Sequence, residues 1–173
     1  MEFWDVYDIN RNKTNRKALR GENLKSDDFH LVVHACIFNS NGDMLIQQRQ
    51  SFKEGWANMW DLTVGGSALV GETSQLAVQR ELYEELGIDM DFHKIRPHLT
   101  INFEKGFDDV YLIEKEINLD TLNLQFDEVQ NVRWESKGKI LTMIKNSNFI
   151  PYHESLINLL FDIRKQYGAI KIK

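Results

Sequence analysis

The sequence predicts an α/β (α+β) sandwich: a mixed β-sheet with helices on its faces, preceded by a β-hairpin. Three observations carry that prediction. Short apolar runs bounded by turn residues recur along the chain, as strands do. One marked helical segment, residues 74–86, sits between two groups of these runs. A second amphipathic segment closes the chain, with Leu156, Leu159, Leu160 and Ile163 at helical spacing.

The elements follow in order. FWDVYDINRNKTNRKALRGE reads as two short strands around a polar turn at Asn10–Asn15. FHLVVHACIFNSNGDMLIQQR is a clearer hairpin, with strands over Leu31–Phe38 and Met44–Gln48. Its turn, Asn39-Ser40-Asn41-Gly42, contains an Asn-Gly step that tolerates positive φ. DLTVGG is a short buried strand that ends at glycines. Ser74 to Leu86 form a helix, and Gly87 is a suitable residue to end it. Strands are expected near His98–Phe103, Val110–Ile117 and Val129–Trp134. SKGKILTMIKNS is a helix, and the last helix starts near Tyr152, after Pro151. The chain has no repeat, no low-complexity tract and no Pro/Gly linker. The expectation is one domain over residues 29–173 with a hairpin extension over residues 1–28.

Composition narrows the function classes. A length of 173 residues suits one domain with a full core. A net charge of −5 argues against non-specific binding to a nucleic-acid polymer, which draws on clustered cations. It does not exclude a small phosphorylated ligand, because a metal ion reverses the local charge of a carboxylate cluster. No apolar run approaches the ~18 residues of a membrane span. The N-terminus lacks the basic and apolar regions of a signal peptide. Cys36 is the single cysteine, which rules out an intramolecular disulfide and a cysteine metal cluster. A cytoplasmic protein, monomer or homodimer, is the expectation.

The helix over 74–86 concentrates carboxylates. Glu81, Glu84 and Glu85 fall within an arc of about 100° because residues three and four apart are neighbours. Val78, Leu82 and Leu86 occupy an adjoining arc and would face the core. Like charges at these spacings repel by a few tenths of a kcal/mol per pair. Anions in a last helical turn also oppose the helix dipole. Both effects have the wrong sign for a helix built only for stability, although many Glu-rich faces are simply solvated. A hard divalent cation, Mg²⁺ or Mn²⁺, would remove the conflict. Gly65 and Gly66, lacking Cβ atoms, let backbone groups approach such an ion or a phosphate.

Residues 66–88 carry a fuller pattern: Gly66, five residues, Glu72, seven residues, then Arg80-Glu81-Leu82-Tyr83-Glu84-Glu85-Leu86-Gly87-Ile88. This resembles the Nudix box, G-x5-E-x7-R-E-U-x-E-E-x-G-U with U aliphatic, at every specified position. The resemblance implies a Nudix α/β/α sandwich, a divalent metal site, and cleavage of a diphosphate linkage by water. It implies metal binding by Glu81, Glu84, Glu85 and the carbonyl of Gly65 or Gly66, Gly65 being preferred. Glu81 or Glu84 would orient or deprotonate the attacking water. Gly66, Glu72, Arg80 and Gly87 would be structural, with Arg80 and Glu72 paired to hold the loop to the helix. Family members often add a base from outside the box. Candidates are Glu104, Asp109 and Glu128, with Glu128 first because DEVQNVRW resembles the segment leading into the late strand.

The flanks resemble the isopentenyl-diphosphate isomerase-like Nudix proteins over roughly the first half of the chain. There, the positions of Arg49 and Lys53 bind the substrate diphosphate, a task suited to a guanidinium fork and an ammonium point charge. The departures decide the chemistry. The isomerase cysteine aligns with Gly65, a metal-binding histidine with Ser67, and a catalytic glutamate falls near Asp109. Another metal-binding histidine is matched by His30. The isomerases have lost the carboxylates at the positions of Glu81 and Glu84, which this chain keeps. The expected function is therefore a Mg²⁺- or Mn²⁺-dependent hydrolase of a small-molecule diphosphate. Isopentenyl-diphosphate isomerase and a non-catalytic nucleotide-sensing module are the alternatives. His30 and His34 project to one face of a strand and read as ordinary hydrogen-bonded histidines, Trp56 and Trp60 as core, and Cys36 as a small buried hydrophobe.

Overall fold

The structure is a computed structural model that describes residues 1–171; residues 172 and 173 of the expected domain lie outside the described residues. The N-terminal strands β1 (Phe3–Tyr7) and β2 (Lys13–Leu19) pair antiparallel in a sheet of their own. The main sheet contains β3 (His30–Phe38), β4 (Met44–Arg49), β5 (Trp60–Asp61), β6 (Val64–Ser67), β7 (Leu99–Phe103), β8 (Gly106–Glu114) and β9 (Val129–Glu135). The helices are α1 (Ser74–Leu86), α2 (Lys137–Lys145) and α3 (Glu154–Ile163).

β3 and β8 run parallel from His30↔Gly106 to Phe38↔Glu114, and the other pairings between these strands are antiparallel. Alternation along β3 sorts its side chains to two cores. Leu31, Val33, Ala35 and Ile37 pack with Val78, Leu82 and Leu86 of α1. Cys36 and Phe38 pack with Ile140 and Met143 of α2 and with Ile157, Leu160 and Phe161 of α3. The result is the expected α/β/α sandwich with a mixed sheet.

Some element ends differ from expectation. DLTVGG is not one strand but parts of two, β5 and β6. The reason lies in the sheet. β3 and β4 pair only at Phe38↔Met44, beside their turn, and then diverge. β5 takes the edge of β4 and β6 the edge of β3. Thr63, between them, bridges the gap: its Oγ1 accepts from Ile37 N at 2.9 Å and donates to Leu45 O. The eighth strand starts at Gly106, ahead of the expected Val110, because Asp108 and Asp109 each find a partner inside the structure. Asp108 meets His34, and Asp109 accepts from Arg11 and from Thr100. α3 begins at Glu154, two residues past Tyr152, whose hydroxyl is held by Asp61 at 2.8 Å.

Candidate active site

The loop and helix over 66–88 are built from short-range rules. Thr73 caps α1, its side chain accepting from Leu76 N at 3.2 Å. Gly87 ends the helix in the left-handed region (φ 70°), its N–H donating to Tyr83 O at 2.9 Å. Arg80 is the hub. Its Nε donates to Glu72 at 2.7 Å and its Nη2 to Ser67 O at 3.1 Å, tying the loop to the helix. Its Nη1 donates to Glu81 at 3.0 Å and to Glu84 at 2.9 Å. Burial works against the Arg80 charge, but its hydrogen bonds to Glu72 and Glu84 and the charges of Glu81 and Glu72 together outweigh it and hold the guanidinium above its ordinary value.

The two glycines of β6 admit different neighbours. A Cβ on Gly66 would lie 2.0 Å from Glu81 Oε1, so the Glu81 carboxylate rests against bare backbone. A Cβ on Gly65 would lie 2.4 Å from the His34 ring, which fills that space from the other face of the sheet. His34 Nδ1 is held by Asp108 at 2.8 Å. Burial lowers the His34 imidazole, but the charge of Asp108, its hydrogen bond, and the charges of Asp61 and Glu85 together outweigh it, and the group stands at about 8.

A cavity of about 570 Å³ opens over this helix. Gly65, Gly66, Arg80, Glu81, Glu84 and Glu85 line its floor, and Arg49, Lys53 and Glu128 line its wall. The candidate metal ligands, the candidate diphosphate contacts and the preferred candidate base therefore share one space. Seven carboxyl groups and four cationic side chains surround it, so its own field repels an anion. Burial pushes Glu85 up to about 8, and the charge of Glu81 adds to the shift, against a 2.8 Å bond from Gln47 Nε2 that lowers it. Burial also raises Glu81, in spite of Arg80. Among the described residues the three carboxylates do not converge on one point. Each spends one oxygen on Arg80 or Gln47, and the other oxygen has no protein partner.

Of the other candidate bases, Glu104 and Asp109 lie elsewhere, and Glu128 is the one at the cavity. Glu104 is exposed at the turn between β7 and β8. Asp109 is buried and tied to Arg11 and Thr100, away from the cavity. Glu128 is bonded to Lys53 at 2.6 Å, so these two site candidates neutralise each other as they stand. His30 stacks on Trp4, with ring centroids 4.3 Å apart, and its buried Nδ1 has no partner, unlike the hydrogen-bonded histidine expected. Trp60 is buried beneath Arg133, but Trp56 is exposed rather than part of the core. Cys36 is buried, and burial pushes its thiol up.

Three participants escaped sequence reasoning. Arg20 reaches the cavity from β2's end, Gln47 holds Glu85 from β4, and Phe52 lines the wall. No local signal marks any of them, because each acts across the fold.

Comparison with known proteins adds independent information. A family profile described as NUDIX domain matches residues 28–154. The chain is 46% identical over 164 residues to an uncharacterized Nudix hydrolase of Listeria innocua, covering 95% of this chain and 96% of that protein. It is 30% identical over 130 residues to an isopentenyl-diphosphate delta-isomerase of Photorhabdus laumondii, covering 68% of each. The crystal structure of DR0079 from Deinococcus radiodurans superimposes with a TM-score of 0.74 at 23% identity, covering 92% of this chain and 97% of that one. The Nudix domain of Shewanella oneidensis NrtR, solved with ADP ribose, superimposes with a TM-score of 0.57 at 20% identity over 75% of this chain and 84% of that one. Among the described residues no helix is long and apolar enough to cross a membrane.

Proposed function

The chain belongs to the Nudix family of hydrolases, and on that premise we propose that it is a Mg²⁺- or Mn²⁺-dependent enzyme that cleaves a diphosphate linkage by water attack. Its substrate is a nucleotide or a small organic diphosphate. The observation that carries this reading is the cavity's composition. Glu81, Glu84 and Glu85 face Arg49 and Lys53 across one space whose carboxyl groups outnumber its cations. A polyanion can enter it only with a cation of its own.

The residues fit a hard divalent ion. Among the described residues Glu81, Glu84 and Glu85 each keep one oxygen without a protein partner, and Gly65 lines the same cavity. These groups would hold it. When bound, such an ion neutralises phosphoryl oxygens and lowers the pKa of water at neutral pH. The chain's own groups do the rest. Arg49 lines the cavity, and its guanidinium is of the type that binds a phosphate through a fork of donors. Lys53 adds a point charge once a phosphate competes for it, and that exchange frees Glu128 to accept a proton from water. Arg80 keeps the loop closed on the helix through Glu72.

The isomerase reading is disfavoured at Gly65. A cysteine side chain there would collide with the His34 ring, which Asp108 holds in place. A sensing module has no need of the retained carboxylates. The test is a phosphate-release screen with Mg²⁺ or Mn²⁺ over nucleoside di- and triphosphates, nucleotide sugars and isoprenoid diphosphates. We expect turnover of at least one class, abolished by chelation and reduced by 10²-fold or more, an order-of-magnitude figure, in Glu84→Gln. No turnover of any of them would sink the reading. Conversion of isopentenyl to dimethylallyl diphosphate would replace it with the isomerase.

A further inference from the structure

Two loops meet at the rim of the cavity: residues 50–59 after β4, and residues 122–128 before β9. They are joined by Gln50 N donating to Glu128 O at 3.0 Å and by the Lys53–Glu128 pair. Each carries an exposed phenylalanine. Phe52 lines the cavity with 57% of its surface exposed, and Phe126 leans on it from outside, 74% exposed. Their ring centroids are 6.0 Å apart with a 39° tilt. Neither belongs to either hydrophobic core.

We propose that Phe52, backed by Phe126, is the seat for a nucleobase, and that it selects base-bearing diphosphates over isoprenyl or bare ones. This rests on the diphosphatase reading above. The argument is one of shape and polarity. Among the described residues lining the cavity, Phe52 and Leu69 are the only ones with apolar side chains. An isoprenyl chain must be enclosed by apolar wall to gain from burial, and none is offered. A flat base gains from one aromatic face and keeps its polar edges toward water and polar neighbours. Gln125, Asp127 and Glu54 line the same wall and supply such neighbours. Phe52 also directly precedes Lys53, so adjacent residues present the flat face and the phosphate-binding charge.

The test reads binding rather than turnover, so that it stands apart from the catalytic reading. Titration calorimetry with Mg²⁺ compares the α,β-methylene analogues of the four common ribonucleoside diphosphates with methylenediphosphonate, which has no base. Wild type should bind at least one nucleoside probe about tenfold more tightly than the bare probe, the scale of one stacked base. Phe52→Leu keeps an apolar contact with Phe126 and so preserves any loop-pinning role. It should nevertheless lose most of that preference, while binding methylenediphosphonate as wild type does. Phe52→Trp should retain it. Equal affinity of wild type for base-bearing and bare probes, no binding of any probe, or a Phe52→Leu variant that matches wild type or weakens all probes alike would overturn the proposal. A protein that passes these titrations yet hydrolyses nothing would retain the base seat and lose the catalytic reading.

Discussion

A methyl group on Gly66 would fall 2.0 Å from a carboxylate oxygen at the free end of a flexible side chain. Gly66→Ala should therefore displace Glu81 at little cost to folding. The expected outcome is a loss of hydrolysis of about 10²-fold with an unchanged circular dichroism spectrum and melting temperature. Glu85 yields a prediction of the opposite kind. Its buried carboxyl stands at about 8, above the 4.5 of an exposed glutamate. The folded chain binds the extra proton between those values, so stability from this source falls as pH rises through that window. Glu85→Gln can still accept the Gln47 bond and should raise metal-free stability by 1–3 kcal/mol at pH 8, an order-of-magnitude figure. Denaturant unfolding at pH 5 and pH 8 checks both the gain and its growth with pH. On the proposed function, Mg²⁺ should raise the melting temperature of wild type, and the same variant should lose that rise. At this scale the carboxylates were readable because i, i+3 and i+4 spacing is a local rule. The roles of Gln47 and His34 were not. Each depends on a neighbour brought up by the sheet, Gln47 meeting a carboxylate 38 positions away.

The hairpin β1–β2 is bonded to the loop that leads into α1. Phe3 O accepts from Val70 N at 2.9 Å, Asp5 Oδ2 from Gly71 N at 2.8 Å, and Lys13 Nζ donates to Glu72 O at 3.0 Å. It is also bonded to the main sheet, where Arg11 reaches the buried Asp109. Arg11→Ala leaves that carboxylate with Thr100 alone and should cost about 1–3 kcal/mol, discounted because Arg11 itself is partly exposed. Asp109→Asn should cost less, since the amide can keep the Thr100 bond; urea unfolding of the two variants gives the comparison. The hairpin was legible as an element from its alternation and polar turn. Its attachment was not, because Arg11 and Asp109 lie 98 positions apart. The early start of β8 was hidden for the same reason. Adjacent aspartates argue against a strand until their partners are known.

Across the whole molecule, two apolar cores lie on either side of one sheet, and polar groups are trapped at their margins. Burial lowers both His30 and His98 below 6.5. The unfolded chain thus takes up protons first as pH falls, and the stability they contribute is present above 6.5 and lost below it. Glu85 and His34, both raised to about 8, gain stability as the pH falls over this range, so the histidine contribution is read as a difference: the melting temperature of His98→Gln relative to wild type should rise between pH 7 and pH 5, by scanning calorimetry at the two pH values. The layered architecture could be read from the order and period of the elements. The parting of β3 from β4, and Thr63 spanning it, could not, because no residue of a strand records where its neighbour will leave. The hairpin's bonds to the loop before α1 bear finally on divisibility. The family profile begins at residue 28, and a protein trimmed there would keep Glu81, Glu84 and Glu85 yet surrender Arg11, Arg20 and every bond that steadies Val70 and Gly71. Such a fragment is predicted to melt earlier than the full chain and to recover when residues 1–27 are supplied as a separate peptide, which would make this a fold assembled from two pieces rather than a core wearing an ornament.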